Sequence, residues 1–229
     1  MKKLLSLSFA SLALVAMAGS FSPSIGVKQF KDVQVNDFLL PVRFESLSGN
    51  GAISPRELVA TNGLTVGETW LYIFKNNAYT AWKLESTGWT AAATSTDDLG
   101  PISADDTVKL AAGDAIWITG VNGKDVSIYG NVVASMTSTI VRGKTNLLIN
   151  PTDTAVNGSA LADKLAGAAV GDRILPIGDT FSGTYVKFST GWKQNTGSGY
   201  KETPLPEIAA NQGFWYVAKS GDGQTSIQW

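Results

Sequence analysis

Short, largely apolar runs recur along the chain, separated by turn residues such as Gly, Asn and Asp. Runs this short, bounded by turn residues and rich in aromatic and β-branched side chains, signal strands rather than helices. The clearest runs are Trp70-Leu71-Tyr72-Ile73-Phe74, Thr80-Ala81-Trp82-Lys83-Leu84, Ala115-Ile116-Trp117-Ile118 and Gly213-Phe214-Trp215-Tyr216. Asn76-Asn77, Asn122-Gly123 and Asp222-Gly223 mark turns, because Asn and Gly tolerate the backbone that tight hairpins need. Opening strands are predicted over 38–44 and 145–149. Two short stretches carry helix signals instead. In Ser54-Pro55-Arg56-Glu57 the Ser hydroxyl can cap a free N–H, Pro suits the first turn, and Glu reaches back from the third position, with Asn62-Gly63 as the stop. The second helix is predicted over 159–165, placing Leu161 and Leu165 on one face before Gly167 ends it.

The pattern repeats. Val66-Gly67-Glu68 matches Val170-Gly171-Asp172, and Thr80-Ala81-Trp82-Lys83-Leu84 matches Thr184-Tyr185-Val186-Lys187-Phe188 at the same spacing. After a small length change, Thr87-Gly88-Trp89 matches Thr190-Gly191-Trp192. Ala115-Ile116-Trp117-Ile118 then matches Gly213-Phe214-Trp215-Tyr216, and Ser127-Ile128 matches Ser226-Ile227. Matches kept in order indicate a tandem duplication. The expected division is a first β unit with an N-terminal extension over 19–131 and a second β unit over 132–229. Residues 130–142 are read as a strand crossing between the two. The predicted fold class is therefore mainly β: two tandem similar units, each a small sandwich or partly open barrel with one short helix.

Comparison of the copies assigns faces, since alternate strand residues point to opposite sides. Leu71 and Ile73 match Leu175 and Ile177, so this aliphatic row is assigned to a shared core. The opposite row holds Trp70, Tyr72 and Phe74 in the first unit but Ile174, Pro176 and Gly178 in the second. Trp70, Tyr72 and Phe74 are the candidate ligand-binding residues, because flat aromatic rings suit the apolar C–H faces of sugars. In the next strand Thr80, Trp82 and Leu84, with Thr184, Val186 and Phe188, are assigned inward, leaving Ala81, Lys83, Tyr185 and Lys187 outward. The recurring pairs Trp89/Trp192 and Trp117/Trp215 are assigned to packing.

Composition narrows the chemistry. The 229 residues contain no Cys and no His, which removes disulfides, thiolate nucleophiles, ordinary zinc sites and Ser-His-Asp catalysis. A formal net charge of −1 argues against a nucleic-acid partner, which demands a basic face. Asp97-Asp98 and Asp105-Asp106 share one polar loop. They lack the separation of a glycosidase carboxylate pair and the alternating spacing of a calcium loop, and are read as solvated. Ser198-Gly199-Tyr200-Lys201 fits a Ser-x-x-Lys pattern but sits in a Gly-rich loop rather than a helix. No catalytic residue, metal ligand or cofactor is assigned.

Lys2 and Lys3, a short apolar stretch ending at Val15, and Ala16-Met17-Ala18 have the form of a bacterial secretory leader, residues 1–18, cut after Ala18. The apolar stretch is shorter than the roughly 20 residues a spanning helix needs, so no membrane span is expected after its removal. These features point to an exported, non-catalytic structural or interaction protein, secreted, at the cell surface or in the periplasm, with a glycan or a surface protein as partner. A carbohydrate-binding module using the aromatic strand face is the alternative. An outer-membrane barrel, suggested by the terminal Ile227-Gln228-Trp229, is a minor one.

Overall fold

The structure is a computed structural model that describes residues 24–49, 51–96, 100–177, 183–219 and 221–229. The leader, Asp97, Asp98 and Gly178 lie outside the described residues. The chain is mainly β, with antiparallel sheets and two short helices. Its first half runs β1 (Ile25–Val33), β2 (Asp37–Pro41), β3 (Phe44–Glu45), α1 (Pro55–Leu58), β4 (Trp70–Lys75) and β5 (Ala78–Glu85). It continues through β6 (Gly88–Ala91), β7 (Thr94–Thr96), β8 (Gly100–Ile102), β9 (Ala115–Thr119) and β10 (Lys124–Val132). The second half runs β11 (Thr137–Val141), β12 (Thr145–Ile149), α2 (Gly158–Lys164), β13 (Arg173–Pro176) and β14 (Tyr185–Phe188). It ends with β15 (Gly191–Asn195), β16 (Tyr200–Glu202), β17 (Gly213–Val217) and β18 (Gln224–Gln228).

Both large sheets obey one ordering rule. The first is β2-β9-β4-β5-β6 and the second β12-β17-β13-β14-β15-β16. In each, the late strand with the central Trp inserts between the opening strand and a meander. β1 pairs with β10, and β11 pairs with β18 in the corresponding way. The isolated bridges Ile53–Leu110 and Val156–Ile208 stand at corresponding places too. One core gathers Leu40, Leu58, Leu71, Ile73, Trp82 and Ile118, and a separate one gathers Leu148, Leu161, Ile174, Tyr185, Phe214 and Tyr216. β10 ends at Val132 and β11 begins at Thr137, so two strands, rather than one, occupy the segment expected to cross between the halves.

The pairing register corrects the expected face assignments. Leu71 lies opposite Ile118 in β9 and Trp82 in β5, whereas the residue with the matching partners in the second half is Ile174, opposite Tyr216 and Tyr185. Tyr72 therefore corresponds to Leu175, since both face the central Trp, Trp117 or Trp215. The strands are related by one residue less than the Val66/Val170 match implies. A one-residue slip exchanges every side chain between faces. Leu175 and Ile177 accordingly leave the core row, while Ile174 joins it. In the next strand Tyr185 points into the core, in place of the expected row of Thr184, Val186 and Phe188. Trp82 and Leu84 point inward as expected.

The slip arises in a turn. Before β4 the chain closes over Thr65 to Thr69, where the Thr69 N–H and hydroxyl both donate to the Thr65 carbonyl. Before β13 a turn shorter by one residue closes from Asp172 N–H to the Ala169 carbonyl. Thr69 and Asp172 then play the same backbone part: their carbonyls accept from Leu84 N–H and Lys187 N–H respectively.

The helices are shorter or shifted relative to expectation. Ser54 caps α1 by accepting from Glu57 N–H at 3.3 Å, and Pro55 opens it. Val59 is already extended, well before Asn62-Gly63, because the Ala60 N–H that follows pairs with the Ser127 carbonyl of β10. The Glu57 carboxylate leaves the cap for the Ser46 hydroxyl (2.7 Å) and the Leu47 N–H (2.6 Å), so only half of the capping box forms. Asn157 caps α2 by accepting from Ala160 N–H. At the C-terminus β18 is the partner of β11, and Trp229 donates to the Ser138 hydroxyl at 2.6 Å while its ring meets Phe214 edge-on.

Asp172 is a fully buried carboxylate, and its environment explains how it stays charged. Arg142 grips both oxygens at 2.6 and 3.0 Å, and the Tyr216 hydroxyl donates at 2.6 Å. The N–H groups of Ala169 and Lys219 complete the set. Burial alone raises the carboxyl, but these donors outweigh it and hold Asp172 below the usual carboxylate range. Burial and the adjacent carboxylate push the Tyr216 phenol up, so it stays protonated as the donor. Stability supplied by a depressed carboxyl is present above its unfolded value near 3.8 and lost as pH falls through the folded value. Asp172→Asn is expected to cost about 3 kcal/mol, because Arg142 is left without its counter-charge. Denaturant unfolding between pH 7 and pH 2 checks this. The parent should lose stability below about pH 4 more steeply than the variant.

Candidate functional site

The candidate residues Trp70, Tyr72 and Phe74 do share one face of β4, as their period dictates, but the fold uses them differently. The two large sheets meet through their outer faces. Leu39, Phe74, Ala115 and Trp117 of the first abut Leu147, Ile149, Ile177 and Trp215 of the second. The Phe74 ring stands edge-on to Trp215, centroids 5.0 Å apart and planes at 85°. Phe74 thus belongs to the junction between sheets, as do Trp117 and Trp215. Ion pairs from Lys28 (2.6 Å) and Arg43 (3.0 Å) to Asp153 also join the halves, and Thr145 N–H donates to the Asn77 side chain. Faces, not sheet edges, make most of this contact.

Trp70 and Tyr72 lie beyond the covered part, both half-buried. Their rings are nearly parallel, 15° apart with centroids 6.3 Å from each other. Strand pairing places Thr119 and Lys83 on either side of Trp70. The Lys83 ammonium sits 5.4 Å from the Trp70 ring centroid. Burial first, and then the negative charge of Asp37, raise the Tyr72 phenol, while a hydrogen bond with the Thr119 side chain works the other way. Trp70 and Tyr72 therefore form a protonated aromatic shelf edged by a cation, a hydroxyl and a carboxylate. The corresponding residues of the second half, Arg173 and Leu175, form no such shelf.

The remaining motifs resolve into local structure. Asp105 accepts from the Thr107 hydroxyl (2.7 Å) and N–H (2.9 Å), and these bonds hold its carboxyl below the usual range while closing a turn. Among the described residues no group of three or more metal-ligating side chains converges. Ser198 lies in the turn before β16, bonded to the Thr196 hydroxyl, and Lys201 is exposed on β16. A cleft of about 280 Å³ at the junction is bordered by Phe74, Asp114, Thr139 and Asn146, and there Lys75 is paired to Asp114 at 2.8 Å. No family model matches the chain, and no curated protein or solved structure matches it.

Shelf and junction residues should separate in a stability measurement. Phe74→Ala is expected to cost about 2–3 kcal/mol, below the value for a fully buried Phe because the ring is only half-covered. Trp70→Ala should stay within about 1 kcal/mol of the parent. Urea unfolding of both variants, followed by far-ultraviolet circular dichroism, checks the contrast.

Proposed function

We propose that this chain is an exported, non-catalytic interaction protein whose Trp70–Tyr72 shelf contacts sugar rings of an extracellular or periplasmic glycan. One observation carries the reading: two nearly parallel, half-buried rings stand beside Lys83, Thr119 and Asp37 on β4, at positions the second half does not furnish with aromatics. A pyranose has apolar C–H faces and a hydroxyl rim. A flat indole covers the first, and charged or hydroxylated neighbours bond the second. The same reading treats 19–131 and 132–229 as copies of one unit, supported by the common strand order and register. In it, the leader-like residues 1–18 are removed on export.

Among the described residues no helix is long and apolar enough to cross a membrane. Expressed with its leader in a Gram-negative host, the protein is expected in the periplasm or medium with an N-terminus at Gly19, as read by N-terminal sequencing. An intact Met1 would refute export by this leader. Retardation on cellulose, xylan or chitin columns should be lost in Trp70→Ala, by about tenfold or more for a stacked ring. Retention unchanged in that variant, or no retention on any glycan, would refute the shelf.

A further inference from the structure

In the second half a cleft of about 580 Å³ opens beside α2 and β15, walled by Trp192, Ala162 and Leu205 and edged by Ser159 and Lys187. Corresponding positions in the first half show what has changed. The caps Ser54 and Asn157 each accept from the N–H three residues on, which aligns Arg56 with Ser159 and Val59 with Ala162. Strand pairing aligns Leu84–Trp89 with Lys187–Trp192.

The first half is closed there. Trp89 is buried and donates its indole N–H to the Val59 carbonyl at 2.8 Å. Arg56 bonds the Trp89 carbonyl at 3.1 Å and lies over the Trp82 ring, while Leu84 fills the space below. In the second half a serine replaces the roofing arginine, an alanine replaces the valine, and a lysine stands where the leucine was. Trp192 is left only partly buried. Among the described residues its indole N–H has no partner, and Lys187 has no carboxylate. The Lys187 ammonium sits 5.8 Å from the Trp192 ring centroid.

We propose that this cleft is a second, independent ligand site, and that its ligand is a carboxylated pyranose, a uronate residue of an acidic glycan. The Trp192 wall and the aliphatic floor take the apolar face of a ring. The indole N–H and the Ser159 and Thr203 hydroxyls meet ring oxygens and hydroxyls. The charge decides the class. A neutral ring seated on Trp192 must displace the ammonium from the indole face without offering it a counter-ion. A uronate brings the counter-ion with it, and an unpaired lysine beside an apolar wall gains most from that exchange. The site does not depend on the Trp70–Tyr72 shelf, which lies on the other half.

The test titrates the full mature chain with tetragalacturonate and with the neutral cellotetraose, by calorimetry and tryptophan fluorescence. Tetragalacturonate should bind about tenfold tighter at 50 mM NaCl, with the advantage shrinking at 500 mM as screening grows. Lys187→Met should erase the advantage, and Ser159→Arg, which restores the first half's roof, should weaken tetragalacturonate binding about tenfold or more. Trp70→Ala should leave it unchanged. Equal affinity for the two tetrasaccharides overturns the proposal, as does absence of tetragalacturonate binding. So does loss through Trp70→Ala alone, a result that would move the ligand to the shelf. Lys187→Met removes charge at a partly exposed position and keeps the test decisive if Ser159→Arg does not fold.

Discussion

The apolar contact between the outer faces of the two sheets is the constraint on which the other features depend. Each half contributes its opening strand, its central Trp strand and the first strand of its meander. Leu39 and Leu147, Trp117 and Trp215, and Phe74 and Ile177 occupy corresponding positions in the two sheets and meet in one apolar cluster. Close approach is built into the backbone at Gly213, where a Cβ would run into the Leu39 side chain and reach Ile177 Cδ1 at 3.0 Å. This patch covers only part of the aromatic row, which is why three residues on one face of β4 differ in packing: Phe74 lies in the junction, and Trp70 and Tyr72 lie outside it.

Much of the architecture was legible in the sequence. Short apolar runs located the strands, Asn76-Asn77 located the β4–β5 hairpin, Asn122-Gly123 and Asp222-Gly223 located turns between sheets, and Ser54 marked the first helix start. The order of matched segments anticipated that β9 and β17 would hold equivalent places. What the sequence concealed was the phase of the second meander. Val170-Gly171-Asp172 aligns so well with Val66-Gly67-Glu68 that the residue missing from the turn is invisible. Its consequence is large because strand side chains alternate. The apolar character of Leu175 and Ile177 hid the error: Ile177 packs in the junction with the neighbouring sheet, and Leu175 is half-buried outside the core row. Alternation distinguishes inside from outside only where one side is wet.

The candidate site was legible in part for the same reason. Aromatic character named the row on β4, but the packing of one sheet on another is a long-range property that no local pattern encodes, and it removed Phe74 from the set. The cleft at Trp192 escaped notice because its recurrence with Trp89 argued for packing in both copies. The signal lay in the surroundings: Arg56 against Ser159, Val59 against Ala162 and, once the register is right, Leu84 against Lys187. A recurring residue keeps its role only if its neighbours recur as well.

Two ionisable groups of the second half stand at positions that the first half fills without charge, and the fold treats them according to depth. Asp172 replaces Thr69 at a fully buried point, and five hydrogen bonds from Arg142, Tyr216, Ala169 and Lys219 accompany it. Removing any of these would expose the large desolvation cost of a buried carboxylate. Tyr216 stands where the first half has the aliphatic Ile118. Lys187 replaces Leu84 yet acquires no carboxylate among the described residues. The residue lines an open cleft and is only partly buried, a setting in which a long basic side chain can keep its charged end solvated at small cost. The centre of each half therefore accepts charge only with full compensation, whereas its mouth accepts it at small cost. Differences in charge between the halves can therefore accumulate at their mouths while the strand framework is left intact.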